Sequence, residues 1–270
     1  MKCLMCLSEQ KKVKFIYSGK DIYLEKLNVK YELEWFECSN CGVFFSKQYN
    51  DIDKVYEDES LYDASYDKNE ILIRYNKILS IPAEKSDNLR RVERFLEYFE
   101  QYKKLHNIKK SNYSLLDIGS GLGVFLSKLK IDERFVLKAL ELNPVAVEHL
   151  IGNVGVNTCK GHMQDLNFKK EFDLITLNRV LEHIQDPIHM MKLIVESIKY
   201  SGLIYIELPD SISYKLDGSG NEAFSSGHYM VYNPKSIEYL FNKAGVLLYS
   251  MGRVKEPSGK YTIYAFGGKK

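Results

Sequence analysis

The stretch LLDIGSGLGVFLSKL, residues 115–129, places three glycines in five residues between an apolar run and a helical pattern. Gly119, Gly121 and Gly123 follow a predicted strand and open a predicted helix. Glycines in that place let the backbone approach a ligand while helix amides face its polar groups. A nicotinamide-dinucleotide fingerprint, G-x-G-x-x-G, would need its third glycine at Val124, so it does not fit the register. A tight strand-to-helix turn without a ligand is the alternative.

Two carboxylates accompany the glycine loop. Asp117 stands two positions before Gly119 and gives the pattern D-x-G-x-G-x-G. An acid there can pair with an ammonium group or hold the loop's backbone amides. Glu141 ends the next apolar run, in VLKALELNP, where a carboxylate can accept hydrogen bonds from both hydroxyls of a ribose. Together the two acids predict a site for an adenosine that carries an amino acid.

Apolar runs and helical patterns alternate through the second half of the chain. The runs at 113–118, 135–140, 172–177 and 203–208 alternate with helical segments near 122–130, 144–151, 187–200 and 234–244. This alternation is typical of an α/β fold with a doubly wound parallel sheet. The apolar spacing after Ser86 predicts a further helix to His106. Two strand-like runs near the C terminus predict a terminal antiparallel hairpin.

With these motifs, residues 85–270 resemble the S-adenosylmethionine-dependent methyltransferases of the Rossmann-like class I. The stretches GHMQDLNF, FDLITLNRVLEHIQDP and GLIYIELPD also agree with that family. The resemblance implies an enzyme that uses S-adenosylmethionine as cofactor, with a seven-stranded sheet that ends in an antiparallel hairpin. It implies nine cofactor contacts: Asp117, Gly119, Gly121, Gly123, Glu141, Leu142, Met163, Gln164 and Asn178. Relatives usually have an aspartate at His162, so His162, Met163 and Gln164 are alternative neighbours of the adenine.

Four of the five cysteines form two C-x-x-C pairs, Cys3 with Cys6 and Cys38 with Cys41. Each two-residue spacer lets one turn direct two thiolates at a common ion, which is typical of tetrahedral zinc. We predict a zinc ribbon over residues 1–48, with short strands between the pairs. The zinc is expected to be structural, because four thiolates leave no position open for substrate. A redox C-x-x-C pair and cysteines without metal are the alternatives.

Residues 49–84 connect the ribbon to the methyltransferase-like region and are rich in tyrosine and acidic residues. The segment contains no glycine, so it is not typical of a flexible linker. We expect it to pack on the larger domain. Tyr62, Tyr66 or Tyr75 can close over the cofactor or acceptor in one interpretation, and they serve ordinary packing in the other.

The order of ribbon, tyrosine-rich segment and methyltransferase region resembles the zinc-containing methyltransferases of nucleotide-linked sugars. Those enzymes modify precursors of bacterial surface polysaccharides or natural products. The resemblance implies a small-molecule acceptor, either a sugar nucleotide or a phosphorylated precursor. Sugar C-methyltransferases of that group carry a further C-terminal domain, whereas this sequence ends at Lys270. We therefore favour O-methylation over C-methylation.

The segment Pro209–Asn233 is longer than packing requires, which favours a substrate-binding loop. It carries His228 and Tyr229 in SGHYMVYNP. The sugar-modifying family places a catalytic histidine at this point, although Gly227 replaces the family's glutamate. We expect His228 to take the proton of an acceptor hydroxyl, with a pKa near neutrality, and Tyr229 to contact the acceptor. Positioning of the substrate is the alternative role of His228.

His183, in VLEHI, is the second candidate for the catalytic base, because ubiquinone-type O-methyltransferases carry the same Glu-His pair. Its alternative role is a structural hydrogen bond. Glu182 and His183 alone make a poor metal site without further ligands. Arg179 is expected to bind a phosphate or carboxylate of the acceptor with both nitrogens, or else to form a structural ion pair.

The charge distribution gives no footprint for nucleic acid or for an anionic membrane. The 38 basic and 36 acidic residues leave a formal net charge of +2, so we expect neither partner. No apolar run approaches a membrane span and the N terminus lacks a signal-peptide pattern, so a cytoplasmic protein is expected. No feature of the sequence points to an oligomeric state. Two rival functions stay open, a zinc-ribbon RNA methyltransferase and a non-catalytic protein that binds S-adenosylmethionine.

Overall fold

The computed structural model describes residues 2–20, 32–49, 68–225 and 227–270, which form two β-sheets and seven α-helices. The strands are β1 (Lys11–Ile16), β2 (Glu32–Cys38), β3 (Phe44–Tyr49), β4 (Tyr113–Ile118), β5 (Phe135–Glu141), β6 (Asn157–Lys160), β7 (Phe172–Asn178), β8 (Ile198–Pro209), β9 (Met230–Val231), β10 (Val246–Lys255) and β11 (Tyr261–Lys269). The helices are α1 (Lys68–Leu79), α2 (Asp87–Leu105), α3 (Val124–Leu129), α4 (Pro144–His149), α5 (Pro187–Ser197), α6 (Ile212–Asp217) and α7 (Pro234–Ala244). Single helical turns lie at Ala83–Lys85, Leu150–Val154, Met163–Asp165, Leu181–His183 and Glu222–Phe224.

The larger sheet has seven strands in the order β10-β11-β8-β7-β4-β5-β6. The strands from β8 to β6 are parallel, whereas β11 runs antiparallel to both β8 and β10. The chain order reverses beside β4, which lies between β5 and β7. This arrangement confirms the predicted doubly wound α/β sheet with a C-terminal antiparallel hairpin.

The helix α2 forms where the apolar spacing predicts it. The side chain of Ser86, at the N-cap, accepts a hydrogen bond from the Leu89 amide at 3.2 Å, which satisfies a donor that the first turn leaves free. Val92, Phe95 and Phe99 fall three or four positions apart and are buried, so one face of α2 packs on the sheet. None of the described helices has the length and apolarity to cross a bilayer.

The smaller sheet, in the order β1-β2-β3-β9, takes its last strand from far along the chain. Phe44 of β3 pairs with Val231, and Phe45 pairs with Met230. The alternating patterns predict β1 and β2 but neither β3 nor β9. Since β9 has only two residues, it forms through this pairing and not through a local pattern. The ribbon's sheet is therefore continuous with the segment that precedes α7.

Aromatic residues of the smaller sheet pack on the turn at Glu222–Phe224. Trp35 is fully buried, and its indole N–H donates to the Phe224 carbonyl at 2.9 Å. The two rings meet edge to face with centroids 5.1 Å apart, and Tyr17 and Phe44 join the same cluster. A buried indole needs such a partner for its N–H group. The N-terminal strands thus share a core with the larger domain rather than build one alone.

The segment Pro209–Asn233, expected as a long loop, contains α6, one helical turn and β9. Asp210 is fully buried and accepts two hydrogen bonds from Arg253 of β10, at 2.5 and 2.6 Å. A bidentate pair of this kind fixes both position and orientation. The beginning of the segment is therefore anchored to the C-terminal hairpin.

Asp173 in β7 ties together three elements at the amino end of the sheet. Its carboxylate accepts hydrogen bonds from Lys110 at 2.6 Å, from Lys199 at 3.1 Å and from the Ser114 amide at 2.9 Å. Burial alone raises the pKa of Asp173, but these partners outweigh burial and lower the pKa to about 2. The ionised carboxylate is therefore favoured in the folded protein.

We expect Asp173→Asn to lower the free energy of unfolding at pH 7 by about 1–3 kcal/mol. Because the pKa of Asp173 is lower in the folded state than the unfolded value of about 3.9, its ionisation stabilises the fold at pH values above about 3.9. This stabilisation is lost as the pH falls toward 2. The difference in unfolding free energy between parent and variant should therefore be about half as large at pH 3 as at pH 7. Urea unfolding at both pH values measures it, with the exposed Glu133→Gln as control. An equal difference at pH 7 and pH 3 would contradict the electrostatic origin.

Candidate functional site

The carboxyl ends of β4, β5 and β7 meet where the strand order reverses. In open α/β sheets, ligands bind outside the strand ends at such a point. The glycine loop follows β4, Glu141 ends β5 and Asn178 ends β7. The fold thus brings the predicted loop and the predicted carboxylate to one edge of the sheet.

The glycine loop is held in a conformation that few other residues adopt. Gly119, Gly121 and Gly123 have φ angles of 66°, 51° and 68°, in the left-handed region that disfavours side chains. A Cβ atom on Gly119 would lie 2.7 Å from Cγ2 of Val180, which follows β7. The loop therefore presents bare backbone toward the end of β7.

Glu141 shapes the loop through hydrogen bonds with three amides. Its Oε2 accepts from the Gly121 amide at 2.8 Å, and its Oε1 accepts from Leu142 and Asn143 at 2.8 and 3.0 Å. A carboxylate offers about four lone-pair sites, so one acceptor position is left for a ligand. Glu141 thus both holds the glycine loop and lines the cavity beside it.

Asp117 lies beneath the loop and is 2% exposed. Its Oδ1 accepts a hydrogen bond from the Thr176 hydroxyl at 2.6 Å and one from the Asn178 amide at 3.2 Å. Burial raises the pKa of Asp117 to about 6 against the opposing effect of these hydrogen bonds. The Oδ1 of Asn178 is buried without a hydrogen-bond partner among the described residues, so a donor on a ligand would satisfy it.

A cavity of about 320 Å³ opens beside the loop. Five of the predicted cofactor residues line it: Gly119, Gly121, Glu141, Leu142 and Met163. The other lining residues include His162, Arg179, Val180, His183 and Ile184. The remaining four predicted residues do not line it: Asp117, Gly123, Gln164 and Asn178. Three residues were considered as neighbours of the adenine. Of these, His162 and Met163 line this cavity, and Gln164 lines a separate one.

A second cavity, of about 390 Å³, adjoins the first. It is lined by Asp87, Arg91, Arg179, Glu182, His183, Pro209, Asn221, Glu222, Ala223, Ser225, His228, Lys260 and Tyr261. Arg179 and His183 line both cavities. The pair of cavities can hold a cofactor on one side and an acceptor on the other.

The two candidate histidines meet in this second cavity. The rings of His183 and His228 lie with centroids 4.8 Å apart. Nδ1 of His183 is 2.6 Å from the Gly227 carbonyl, and Nδ1 of His228 is 2.8 Å from the Ala223 carbonyl. A carbonyl only accepts, so each Nδ1 carries a proton, and in the neutral form of such a ring the lone pair lies on Nε2. Both histidines are therefore oriented to accept a proton or to bind a cation.

The pKa of His228 differs from the near-neutral value expected from its proposed role. Burial, with a smaller contribution from His183, lowers it to about 3. The imidazole is thus neutral at pH 7, although a low pKa also weakens it as a base. Burial raises the pKa of the adjacent Glu182, which is 1% exposed.

Arg179 occupies a strained position at the junction of the cavities, with φ of 62°. Its Nη2 donates to the Thr262 hydroxyl at 2.5 Å, and its Nε lies 3.8 Å from the fully buried Glu207. Glu207 also pairs with Arg91 and Arg94. The structure thus contains the ion pair considered for Arg179, and this residue lines both cavities.

A profile of a methyltransferase domain family matches residues 86–250. This match covers more than half of the chain and includes the glycine loop, Glu141 and both histidines. The chain belongs to this methyltransferase family. The family predicted from the D-x-G-x-G-x-G loop is therefore confirmed.

Individual proteins are similar to this chain at low identity, and the solved structures among them share its fold. Malonyl-[acyl-carrier protein] O-methyltransferase 1 of Ilyobacter polytropus is 28% identical over 158 residues, which cover 52% of this chain and 57% of that protein. The chain thus matches little more than half the length of this curated relative. A SAM-dependent methyltransferase of Aquifex aeolicus is 16% identical, with 75% of this chain and 98% of that chain covered and a TM-score of 0.51. The 1,6-didemethyltoxoflavin-N1-methyltransferase of Burkholderia thailandensis, solved with S-adenosylhomocysteine, is 16% identical, covering 75% and 87%, with a TM-score of 0.52.

The sequence did not single out several residues of the methyltransferase's second cavity. Asp87 and Arg91 come from α2, and Lys260 and Tyr261 come from the C-terminal hairpin. No local motif marks them, because they reach the cavity only through the packing of α2 and the hairpin on the sheet. Tyr229, predicted to bind the acceptor, is half-buried, and its amide donates to the Glu182 carbonyl at 2.8 Å.

The tyrosines of the connecting segment divide into two groups. Tyr62 and Tyr66 lie outside the described residues. Tyr75, on α1, is buried, shares a 2.7 Å hydrogen bond with the Ser127 hydroxyl and packs on His149 with ring centroids 4.9 Å apart. It lines neither cavity. Tyr75 therefore supports the methyltransferase domain from behind the glycine loop.

The four ribbon cysteines converge in one cluster. Their sulfur atoms lie within 4.8 Å of one another, with Cys3–Cys41 at 3.6 Å and Cys6–Cys38 at 3.4 Å. Four thiolates around zinc at about 2.3 Å stand about 3.8 Å apart. The donor set and its spacing therefore fit one tetrahedral zinc ion.

The ribbon also holds the segment that carries His228. The Ser46 hydroxyl donates to the His228 carbonyl at 3.1 Å, and the Ser46 amide donates to the Tyr229 carbonyl at 3.0 Å. On the other side of the cluster, Asn233 donates to the Gly42 carbonyl at 2.6 Å. The ribbon of this methyltransferase is thus a structural support for its second cavity.

Proposed function

We propose that this methyltransferase transfers the methyl group of S-adenosylmethionine to an oxygen of a small anionic acceptor. The observation that carries this proposal is the pair of adjoining cavities, one beside the glycine loop and one beside two imidazoles, which share Arg179 and His183. Membership of the methyltransferase family supports the cofactor. The chemistry of the second cavity supports an acceptor with an ionisable oxygen.

The first cavity fits the cofactor through features of this chain. The backbone at Gly119 and Gly121 carries no side chain and lets a ligand come close, and Glu141 keeps one acceptor position for a ribose hydroxyl rather than two. When bound, S-adenosylmethionine supplies an electrophilic methyl group on a sulfonium centre. The chain's own residues must then orient the acceptor and remove the proton from its hydroxyl group.

In the second cavity, His228 is the proposed base. Its Nε2 would take the proton of an acceptor hydroxyl while the oxygen forms its bond to the methyl carbon and the sulfur–methyl bond breaks, which leaves neutral S-adenosylhomocysteine. Hydrogen bonds from Nδ1 to the Ala223 carbonyl and from Ser46 to the His228 carbonyl fix the ring's position. His183, which lines both cavities, is the alternative base.

The acceptor is proposed to carry a phosphate, as a sugar nucleotide or phosphorylated precursor of a surface polysaccharide or natural product does. Arg91, Arg179 and Lys260 line the second cavity. Arg91 pairs with the carboxylate of Glu207 and Lys260 with that of Glu222, whereas Arg179 donates to the Thr262 hydroxyl. A phosphate can share such guanidinium groups through paired hydrogen bonds.

A second candidate acceptor is a carboxylate attached to an acyl carrier. It is favoured by the relative named as a malonyl-[acyl-carrier protein] O-methyltransferase. A carboxylate oxygen is already nucleophilic at pH 7, so this acceptor would need positioning rather than a base. The effects of histidine substitutions therefore separate the two candidates.

The experiment that tests the function presents purified protein with S-adenosylmethionine and panels of acceptors. The panels contain nucleotide sugars, phosphorylated glycan precursors and malonyl-carrier thioesters, with mass spectrometry of the products. A mass gain of one methyl group in one class identifies the acceptor. Binding of the cofactor with no methylated product in any panel would favour the non-catalytic alternative, and a methylated RNA would favour the RNA methyltransferase.

Replacing Glu141 by alanine is expected to weaken S-adenosylmethionine binding by ~1–3 kcal/mol, because ribose hydroxyls lose their acceptor and the loop amides lose theirs. Isothermal calorimetry measures the affinity. Glu133→Ala, an exposed carboxylate in the turn before β5, is the matched control and should bind as the parent does. Unchanged affinity in the Glu141 variant would remove it from the cofactor site.

A further inference from the structure

Glu182, His183 and His228 bring one carboxylate and two imidazoles together in the second cavity. One potential ligand atom of each residue lies within 4.8 Å of the other two. The sequence shows only Glu182 and His183 as neighbours, and a pair of ligands makes a poor metal site. The fold adds His228 as the third, from the segment that pairs with the ribbon.

Both imidazoles are held as metal ligands usually are. A histidine that binds a metal almost always donates its other ring N–H to a carbonyl or carboxylate, which fixes the tautomer and the ring plane. His183 and His228 do so through Nδ1, to the carbonyls of Gly227 and Ala223. Each Nε2 is thereby left with its lone pair in a fixed ring.

Glu182 offers a possible metal-ligand atom, the carboxylate oxygen Oε2, that makes no hydrogen bond in the described part of the chain. It is 1% exposed, and its Oε2 has no hydrogen-bond partner among the residues described. A buried carboxylate oxygen without a partner is costly. The neighbouring cation Arg179 donates to Thr262 and not to this oxygen, and a metal ion held with the two imidazoles would satisfy Oε2.

We propose that Glu182, His183 and His228 bind one divalent ion of the first transition row, such as Mn²⁺ or Zn²⁺. Two imidazoles and one carboxylate suit these ions and leave coordination positions open. Ligand atoms on one ion stand at most about 4.2 Å apart, twice a bond of about 2.1 Å, so loading draws the three side chains slightly together. This ion is separate from the one proposed for the cysteines, whose four thiolates close the coordination shell.

The catalytic role of this ion rests on the proposed methyl transfer. The binding of the ion to Glu182, His183 and His228 does not. An acceptor hydroxyl that occupies an open position on the ion has a lowered pKa, because the cation stabilises the oxyanion. The proton of that hydroxyl would then pass to solvent water. In this arrangement His228 acts as a ligand that orients the ion rather than as the base itself.

Mn²⁺ binding to the zinc-loaded, full-length protein tests the site, with the electron paramagnetic resonance signal of free Mn²⁺ as readout. Thiolates select zinc rather than Mn²⁺, so the cysteine cluster does not contribute. We expect one Mn²⁺ per chain without cofactor or acceptor. Binding should be at least tenfold weaker in Glu182→Gln, His183→Ala and His228→Ala. His189→Ala, an exposed histidine on α5, is the matched control and should bind Mn²⁺ like the parent.

Binding of S-adenosylhomocysteine, measured by calorimetry, identifies the variants that keep the fold. If these variants bind Mn²⁺ as tightly as the parent, or if the parent binds none, the metal site is overturned. A parent that binds one Mn²⁺ but methylates no acceptor overturns the proposed function and leaves the metal site standing. The two failures are therefore distinguishable.

Discussion

Replacing His228 by alanine is expected to lower turnover by roughly 10²–10⁴ while S-adenosylmethionine affinity stays nearly unchanged. His228 lines the second cavity and not the first, so its loss removes a group that acts on the acceptor and not on the cofactor. The His228 carbonyl accepts from Ser46, and β9 pairs with β3. Both are backbone contacts, so the segment should keep its position when the imidazole is removed. Single-turnover methyl transfer with calorimetry of the cofactor measures both quantities.

His183→Ala provides the internal comparison, because the two rings lie side by side with centroids 4.8 Å apart. If the His228 variant keeps near-normal turnover while the His183 variant loses it, the ubiquinone-type arrangement with His183 as base is the better description. If neither variant loses turnover, the acceptor oxygen is already nucleophilic, as a carboxylate is. That outcome would favour the acyl-carrier candidate.

Added Mn²⁺ separates the two roles of His228 in the same assay. If His228 is a metal ligand, excess Mn²⁺ should restore part of the turnover of His228→Ala by refilling a weakened site. If His228 is the base, saturation with the ion restores nothing. The measured affinity of each variant for Mn²⁺ fixes the concentration required.

Replacing Cys41 by serine is expected to abolish zinc binding and to destabilise the protein by several kcal/mol. Structural zinc binds to zinc-finger peptides with about 10–16 kcal/mol at pH 7, and this binding free energy stabilises the fold. Removal of one of the four thiolates should remove a large part of that contribution. The parent should contain one zinc per chain and the variant close to none, by elemental analysis of freshly reduced protein. Thermal unfolding should show the loss of stability.

The same variant should lower turnover more than cofactor affinity. The ribbon contacts the His228 segment through Ser46, through β9 and through Asn233, while Glu141 and its amides hold the glycine loop. Cys159→Ser is the matched control, since Cys159 is half-buried, free and outside the cluster. Equal zinc content in parent and Cys41→Ser, or no zinc in the parent, would contradict the ribbon.

Local pattern sufficed for much of the fold. The apolar runs predicted β4, β5, β7 and β8 and the helices between them, because the burial of a strand and the φ angles of a turn depend on neighbouring residues. No apolar run predicted the short edge strand β6. One helix end was misplaced. The helix α5 stops at Ser197 because Ile198 already pairs with Phe172 of β7, a contact that helical periodicity does not contain.

The sequence by itself determined the glycine loop, the placement of Glu141 at a strand end and the two C-x-x-C pairs of the predicted zinc ribbon, since each depends on residue type at short spacing. Only the tertiary structure decided how the second cavity is built. There, His228 meets Glu182 and His183, α2 and the hairpin supply Arg91 and Lys260, and β9 joins the ribbon's sheet. These contacts join residues far apart in the chain, and their position is set by the packing of whole elements, so no short pattern encodes them.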